Sequence, residues 1–318
     1  MCIINMKYLL LIIILIFSLL SCKGDLEKKD SNLSVITYNL YNLFDDIDDK
    51  TEHSSYRPNS GYTARDFKKR IELYCTLFKK EEFDADILFF QEVESQRVLE
   101  SLLDSGMRRR GYIYYGLAKL DNIPNTVGFI SKIKPHDVQV HNSGSARPFI
   151  SLSVFKNNVC YKIFALHAKS NIGEDSDNKK DRIQTARHIK SLINENEKII
   201  VLGDFNSTIS SDDMLRSFDS VDSLFVSCNS NSVDVKALYD ATEDIYFPLN
   251  RDGTYNYNGK WYYYDKILIS KSIVDKNKYS FRVLDLPELS KDGFPNAYDN
   301  SSESGYSDHF ALKLTLGE

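Results

Sequence analysis

Residues 198–208 read KIIVLGDFNST: four aliphatic residues, then a glycine, then an acid and an amide on either side of a phenylalanine. An apolar run of that length, stopped by a turn signal, reads as a strand buried on both faces. Asp204 and Asn206 then stand at its edge. The same layout recurs along the chain. Leu33 to Asn39 (LSVITYN) ends in an amide. Ala85 to Phe90 (ADILFF) runs into Gln91-Glu92-Val93-Glu94, and Ser307-Asp308-His309 precedes a run from Phe310 to Leu316. Further strands are expected at Thr126 to Ile130, Phe149 to Phe155, Val159 to His167 and Tyr262 to Ile269. A helix is expected across Ala64 to Phe78, and Ile183, Ala186, Ile189 and Ile193 place another across Asp181 to Asn194. Strands and helices spread this evenly predict one α/β domain with mixed sheets over residues 33–318.

The composition agrees with a packed enzyme-sized domain. The 318 residues are 42% hydrophobic, with 20 Tyr and 18 Phe against 14 Gly and 7 Pro. A net charge of -5, from 40 basic and 45 acidic residues, excludes binding of nucleic acid by a broad basic surface, though not by a compact site that touches a few phosphates.

The first residues are set apart from the fold. Lys7 precedes an apolar run, Tyr8 to Leu20 (YLLLIIILIFSLL), that is short for the ~20 residues a membrane-spanning helix needs. Residues 1–21 are therefore expected to be a signal peptide, with an uncleaved anchor as the alternative. Leu19-Leu20-Ser21-Cys22 resembles the bacterial lipobox, which implies a lipid on Cys22, attachment to the bacterial cell envelope at its periplasmic or cell-surface side, and residues 22–32 as a polar tether. Cys75, Cys160 and Cys228 are too widely spaced for a disulfide scaffold or a zinc site.

Taken singly, each polar group at a strand end has a plain structural explanation. Asn39 and Asn206 suit turns, Asp204 a cap, Glu92 a helix start, His309 an exposed ring. Together, Asn39, Glu92, Asp204 and Asp308 form an oxygen-rich set of the kind that holds a hard divalent ion such as Mg2+ and leaves room for water and phosphate. His167 and His309 then remain for proton transfer or for gripping phosphate oxygens.

Six motifs now stand in order: TYNLYNLFDD at 37–46, FFQEVES at 89–95, ALHAKS at 165–170, LGDFNST at 202–208, GTYNYNGKWYYYDKILIS at 253–270 and YSDHFAL at 306–312. The set resembles the endonuclease/exonuclease/phosphatase superfamily, closest to secreted bacterial members with an NLFD motif. The resemblance implies a four-layer α/β sandwich, two packed mixed β-sheets flanked by helices. It implies a metal-dependent phosphodiester hydrolase that works by in-line attack of water without a covalent intermediate. Asn39, Glu92 and Asp308 match the metal-side residues, with Mg2+ the expected ion and Mn2+ or Ca2+ as substitutes. Asp204 and Asn206 match the pair that aligns water and touches the scissile phosphate. His309 matches the catalytic imidazole, Asp265 the acid that fixes its tautomer, and His167 the second histidine, whose presence speaks against an apurinic-site repair enzyme.

Arg147, in SARPF, is read either as a phosphate clamp or as one half of a structural salt bridge. His53, His136, His141 and His188 read as surface residues. The rings of Tyr255, Tyr257, Trp261, Tyr262, Tyr263 and Tyr264 read mostly as core packing, with base stacking as the alternative. Asp45, Asp46, Asp48 and Asp49 lack the Gly and distal Glu of an EF-hand loop and read as solvated. The expected substrate is DNA or RNA, cut with little sequence discrimination by a monomeric extracytoplasmic endonuclease. A sphingomyelinase-like phosphodiesterase and a binding lipoprotein that keeps the fold are the alternatives.

Overall fold

Each segment expected to be a strand carries one in the computed structural model, which describes residues 32–170, 175–207, 225–226, 238–241, 253–274 and 279–317. The expected leader, Cys22, the tether up to Ser31 and Cys228 lie outside these. In chain order the strands are β1 (Leu33–Leu43), β2 (Ile87–Val93), β3 (Tyr114–Leu117), β4 (Thr126–Ser131), β5 (His136–His141), β6 (Phe149–Lys156), β7 (Val159–His167), β8 (Lys198–Asp204), β9 (Phe225–Val226), β10 (Leu238–Asp240), β11 (Tyr255–Tyr257), β12 (Lys260–Tyr262), β13 (Asp265–Ser270), β14 (Tyr279–Leu284), β15 (Ser290–Lys291), β16 (Phe294–Pro295) and β17 (Ala311–Leu316).

Two mixed sheets result, in the orders β14-β17-β1-β2-β4-β3 and β5-β6-β7-β8-β13-β10-β9. Near the middle of each lies one parallel pair, β1 with β2 and β7 with β8. A parallel pair needs a crossover. Helix Ala64–Phe78 lies between β1 and β2 in the chain, and helix Asp175–Leu192 between β7 and β8. The alternation of side chains along each strand then sorts the core into layers. Val35, Ile87, Phe89 and Phe129 pack between the sheets with Leu152, Ile163, Ala165, Ile200, Leu202 and Ile267. On the outer face of the first sheet Ile36, Tyr38, Leu88 and Phe90 pack with Phe67, Ile71, Tyr74 and Phe78 of the first helix. On the outer face of the second, Phe164, Leu166, Val201 and Leu268 pack with Ala186, Ile189 and Ile193. Helix, sheet, sheet, helix is the four-layer α/β sandwich.

The differences from expectation fall at strand ends. β1 continues past Asn39 to Leu43, with Tyr41 and Asn42 at φ 49° and 52°, and its pairing with β2 shifts register there. The stretch expected as one strand from Tyr262 is two, because β12 belongs to a hairpin with β11 and β13 starts only at Asp265. Helix Gln96–Asp104 was not expected. Ser95 caps it by accepting from Val98 N at 3.3 Å, and Val98, Leu99, Leu102 and Leu103 bury its inner face. Cys75 is buried, Cys160 is exposed, and neither is in a disulfide.

The left-handed turn of β1 is held by one side chain. Arg70, on the first helix, is fully buried and donates to three successive carbonyls, Leu40 (3.1 Å), Tyr41 (2.6 Å) and Asn42 (2.6 Å). Non-glycine residues at positive φ are strained by about 1–3 kcal/mol each and persist where surroundings over-determine them. Arg70→Met keeps the packing volume but removes the Arg70 donor from Tyr41 O, at about 1–3 kcal/mol, while Leu40 O keeps Tyr74 Oη and Asn42 O keeps Phe44 N. The expected result is a loss of about 1–3 kcal/mol in urea denaturation, with the denaturant slope unchanged. A loss under about 1 kcal/mol overturns this account of the turn.

Candidate active site

The alternation that fills the space between the sheets also delivers its polar end. Following the inward positions, Val35 leads to Thr37 and Asn39, Ile163 and Ala165 to His167, Ile200 and Leu202 to Asp204, and Ile269 and Ile267 back to Asp265. In the second sheet the last three form a row: His167 pairs with Asp204 across β7 and β8, and Asp204 with Asp265 across β8 and β13. Paired residues on one face bring their side chains together. His167 Nε2 lies 3.7 Å from Asp204 Oδ2.

Gly203 makes the row tight. At φ 134° it passes so close to β7 that a Cβ would sit 1.9 Å from the Leu166 carbonyl oxygen, which admits no side chain. After the row, Phe205 N donates to Tyr264 O at 2.8 Å, and Asn206 folds back at φ 48°. Its backbone N–H donates to Asp204 Oδ1 at 2.9 Å and its amide to Ala168 O at 3.1 Å.

Glu92 reaches the site against the alternation. Phe89 lies between the sheets and Phe90 packs on the helical side, so a regular strand would aim Glu92 outward with Phe90. Instead Glu92 has φ 60°, and the pairing of β2 with both neighbours shifts register around it. This bulge turns the carboxylate inward. Oε1 accepts from Asn39 Nδ2 at 3.2 Å, Oε2 accepts from Asn42 N at 2.7 Å, and His167 Nε2 lies 3.9 Å away. Asn39 Nδ2 also donates to Asp204 Oδ2 at 3.2 Å. Its own Oδ1 accepts from Tyr41 N at 2.9 Å.

His309 is gripped from three sides. Nδ1 is 2.7 Å from Asp265 Oδ2, which Thr254 Oγ1 also reaches at 2.6 Å; Nε2 lies 4.0 Å from Asp204 Oδ2 and 3.9 Å from Asp308 Oδ1. The Tyr255 ring stacks on the imidazole at 4.6 Å. Arg147 makes no salt bridge among the described residues, contrary to the structural alternative. Its Nη1 donates to Asn125 O (2.7 Å) and Oδ1 (2.6 Å), and Asn125 Nδ2 donates to Asn42 Oδ1 at 2.7 Å. The sequence reading missed Thr254, Asn125, Asn42 and Arg70. Asn42 and Thr254 sit inside the quoted motifs, whereas Asn125 carries no local signal. The aromatic run is core only in part: Tyr255, Trp261, Tyr262, Tyr263 and Tyr264 are half-buried and Tyr257 is exposed; Trp261 packs against the core on the outer face of the first sheet, whereas Tyr255 stacks on His309 at one rim of the site.

The charges are unbalanced. Burial raises Asp204 to about 7, helped by Asp265 and Glu92 and opposed by His309. Burial also raises Asp308 to about 6, with Glu92 and Asp265 adding to it. For His309 burial works against the charged form, but Asp265, Asp308 and Asp204 outweigh it and hold the imidazolium well above the usual range. Burial, Arg147 and His309 push His167 well below that range, so it is neutral. Glu92, Asp204, Asp265 and Asp308 thus face two cationic side chains, and the excess negative field fits a divalent ion. Asp204, Asp265 and His309 bring ligand atoms within 4.8 Å of one another. Of these, Asp265 Oδ2 already accepts from His309 and Thr254.

The sequence matches the model of the endonuclease/exonuclease/phosphatase family over residues 34–316. No curated protein matches it. Among solved structures, a humanized D. rerio TDP2 is similar with TM-score 0.57 and 14% identity, covering 91% of this chain and 100% of that one. Beta toxin 275–280 from Staphylococcus aureus gives 0.56 and 15%, covering 90% and 100%. An AP endonuclease from Archaeoglobus fulgidus gives 0.55 and 13%, again covering 90% and 100%. A further D. rerio TDP2 structure holds a single-strand DNA product.

The His309 environment makes a measurable prediction. A histidine raised above its unfolded value of about 6.5 stabilises the fold fully below that pH and loses the contribution as pH climbs through the raised value. Asp265→Asn removes the largest favourable charge. The His309 imidazole resonance, followed by NMR, should then titrate at least about one unit lower, and the stability near neutral pH should drop. An unchanged titration rejects the Asp265 contact as its cause.

Proposed function

The chain belongs to the endonuclease/exonuclease/phosphatase family, and from that premise we propose that it is a Mg2+-dependent phosphodiesterase whose substrate is DNA or RNA. The observation that carries the reading is the row His167, Asp204, Asp265 facing Asn39 and Glu92 across the two sheets. Glu92, Asp308 and Asn39 would hold the ion. When bound, Mg2+ supplies Lewis-acid polarisation of the phosphoryl oxygen. Among the protein groups, Asp204 takes the proton of the attacking water, because a carboxyl raised to about 7 is a competent base at neutral pH, whereas His309 is already protonated. Asn206 positions that water through the bond from its backbone to Asp204. His309, locked by Asp265 and stacked under Tyr255, donates to the phosphoryl oxygens that gain charge. Neutral His167 donates from Nε2 on the other side.

Nucleic acid is favoured by the half-buried Tyr255 ring, stacked on His309, and the exposed Tyr257 ring stacked beside it, since rings of this kind stack bases without regard to sequence. Arg147, anchored by Asn125 and near enough to Glu92 and Asp204 to feel their charge, is the proposed phosphate clamp. A phospholipid headgroup is the second reading. Its support is the exposed Phe294, stacked on Trp261 at 5.7 Å near the same rim.

The test is cleavage of plasmid DNA, RNA and sphingomyelin by the same preparation, with Mg2+ and with EDTA. DNA or RNA should be cut only with the ion, and Glu92→Ala and Asp204→Asn should each lower the rate by more than about a hundredfold. Full activity in EDTA rejects the mechanism; cleavage of sphingomyelin alone transfers the substrate to the second reading.

The location is proposed from the leader alone: Cys22 carries lipid and holds the enzyme at the cell envelope, outside the cytoplasm. Wild-type protein should partition into detergent and incorporate labelled fatty acid, and Cys22→Ser should not incorporate it. Unlabelled wild-type protein found wholly in the soluble fraction overturns the anchor.

A further inference from the structure

The acidic loop that follows β1 reads from sequence as solvated, which holds for Asp48 and Asp49 but not for Asp45. Asp45 and Glu52 are buried, and Glu52 and Glu94 are only 2% and 1% exposed. With Asp49 they bring three carboxylates together, their oxygens all within 4.8 Å of one another. On each buried acid one oxygen is tied down. Glu52 Oε1 accepts from Asp49 N at 2.6 Å, and Glu94 Oε2 from Asp45 N at 2.6 Å. The other two, Glu52 Oε2 and Glu94 Oε1, are buried with no hydrogen-bond partner.

Orphaned carboxylate oxygens at this depth are expensive unless a cation or donor meets them. Lys119 does not. Its Nζ lies 3.6 Å from Asp49 Oδ2 and donates to Pro124 O, so it offsets one charge of three at the exposed end of the group. Of the remaining acids, Asp46 is paired with Arg97 at 2.5 Å, and Asp45 accepts from Ile47 N (2.7 Å) and Ser95 Oγ (2.6 Å). The two unpartnered oxygens point to a ligand, and the donor set states its chemistry. It is all oxygen, without His or Cys, which selects a hard cation. An irregular loop supplies two of the acids and the end of β2 the third. Such a site suits Ca2+, which accepts six to eight oxygens in flexible geometry, better than Mg2+, which demands a near-ideal octahedron and keeps its waters.

We propose that Asp49, Glu52 and Glu94 form a Ca2+ site, separate from the His309 centre, that clamps the loop after β1 to the segment just beyond Glu92. The proposal stands whether or not the chain cleaves phosphodiesters.

The full chain, stripped with EDTA and dialysed, is titrated with CaCl2 by calorimetry and by thermal melting, alongside Asp49→Asn and Glu52→Gln. An Asp308→Ala background weakens the central site so that the two are told apart. Asp49 is partly exposed, so its replacement should leave the fold intact and keep the test valid if Glu52→Gln fails to fold. Ca2+ should bind the Asp308→Ala protein and raise its melting temperature by about 4 °C or more. Adding Asp49→Asn should weaken binding at least about tenfold and remove most of that rise. Unchanged Ca2+ affinity in the Asp49→Asn and Glu52→Gln variants, no Ca2+ binding to the Asp308→Ala protein, or an equal affinity for Mg2+ each overturns the assignment.

Discussion

One amide nitrogen joins the halves of this molecule. Asn39 Nδ2 donates to Glu92 in its own sheet and to Asp204 in the other. Two carboxylates that would otherwise repel are thereby held against a single donor, and the spacing between the sheets at their polar edge is set by hydrogen-bond length rather than by hydrophobic contact. Everything else in the site is built outward from that bridge. Asp204 carries the row to His167 and Asp265, Asp265 fixes His309, and Glu92 accepts from Asn42 N in the turn of β1 that Arg70 secures from behind. The bridge is also short of positive charge. An amide gives directional donors but no net charge, so it does not offset the burial that raises Asp204 and Asp308.

The strands were legible because their interior runs are buried on both faces and leave no other reading. Lys198 to Leu202 and Ala85 to Phe90 show no alternation to confuse with a helix, and each stops at polar residues. Short edge elements were not legible. β3, β5 and β14 mix polar and apolar residues at exposed or half-exposed positions, where burial imposes little pattern, and nine-residue helix Gln96–Asp104 is too short for its period to stand out.

The site residues were named from sequence mainly through the order of six motifs, and the structure gathers them at one end of the sandwich. What the motifs could not convey was how Glu92 arrives there. A period of two sends it to the wrong side, and only a left-handed residue opposite a second left-handed pair in β1 corrects it. The partners Thr254, Asn125 and Arg70 were hidden for a related reason. Each acts through a backbone carbonyl or another residue's carboxylate, and such contacts depend on distances between segments far apart in the chain. The aromatic run misled in the opposite direction, since alternation in a two-stranded hairpin looks the same whether it covers a core or lines a cleft.

The last strand lies between β14 and β1, paired on both sides, with Leu316 against Leu33 on one edge and Tyr279 on the other. Asp308 and His309 immediately precede it. A chain under synthesis therefore carries Asn39, Glu92 and Asp204 for a long interval before the residues that finish the centre exist. Until the final segment slides into its slot, the first sheet is split and β1 has an unpaired edge. The segment that covers the edge of β1 is thus the one that brings Asp308 and His309 to the centre, and a chain without it lacks both.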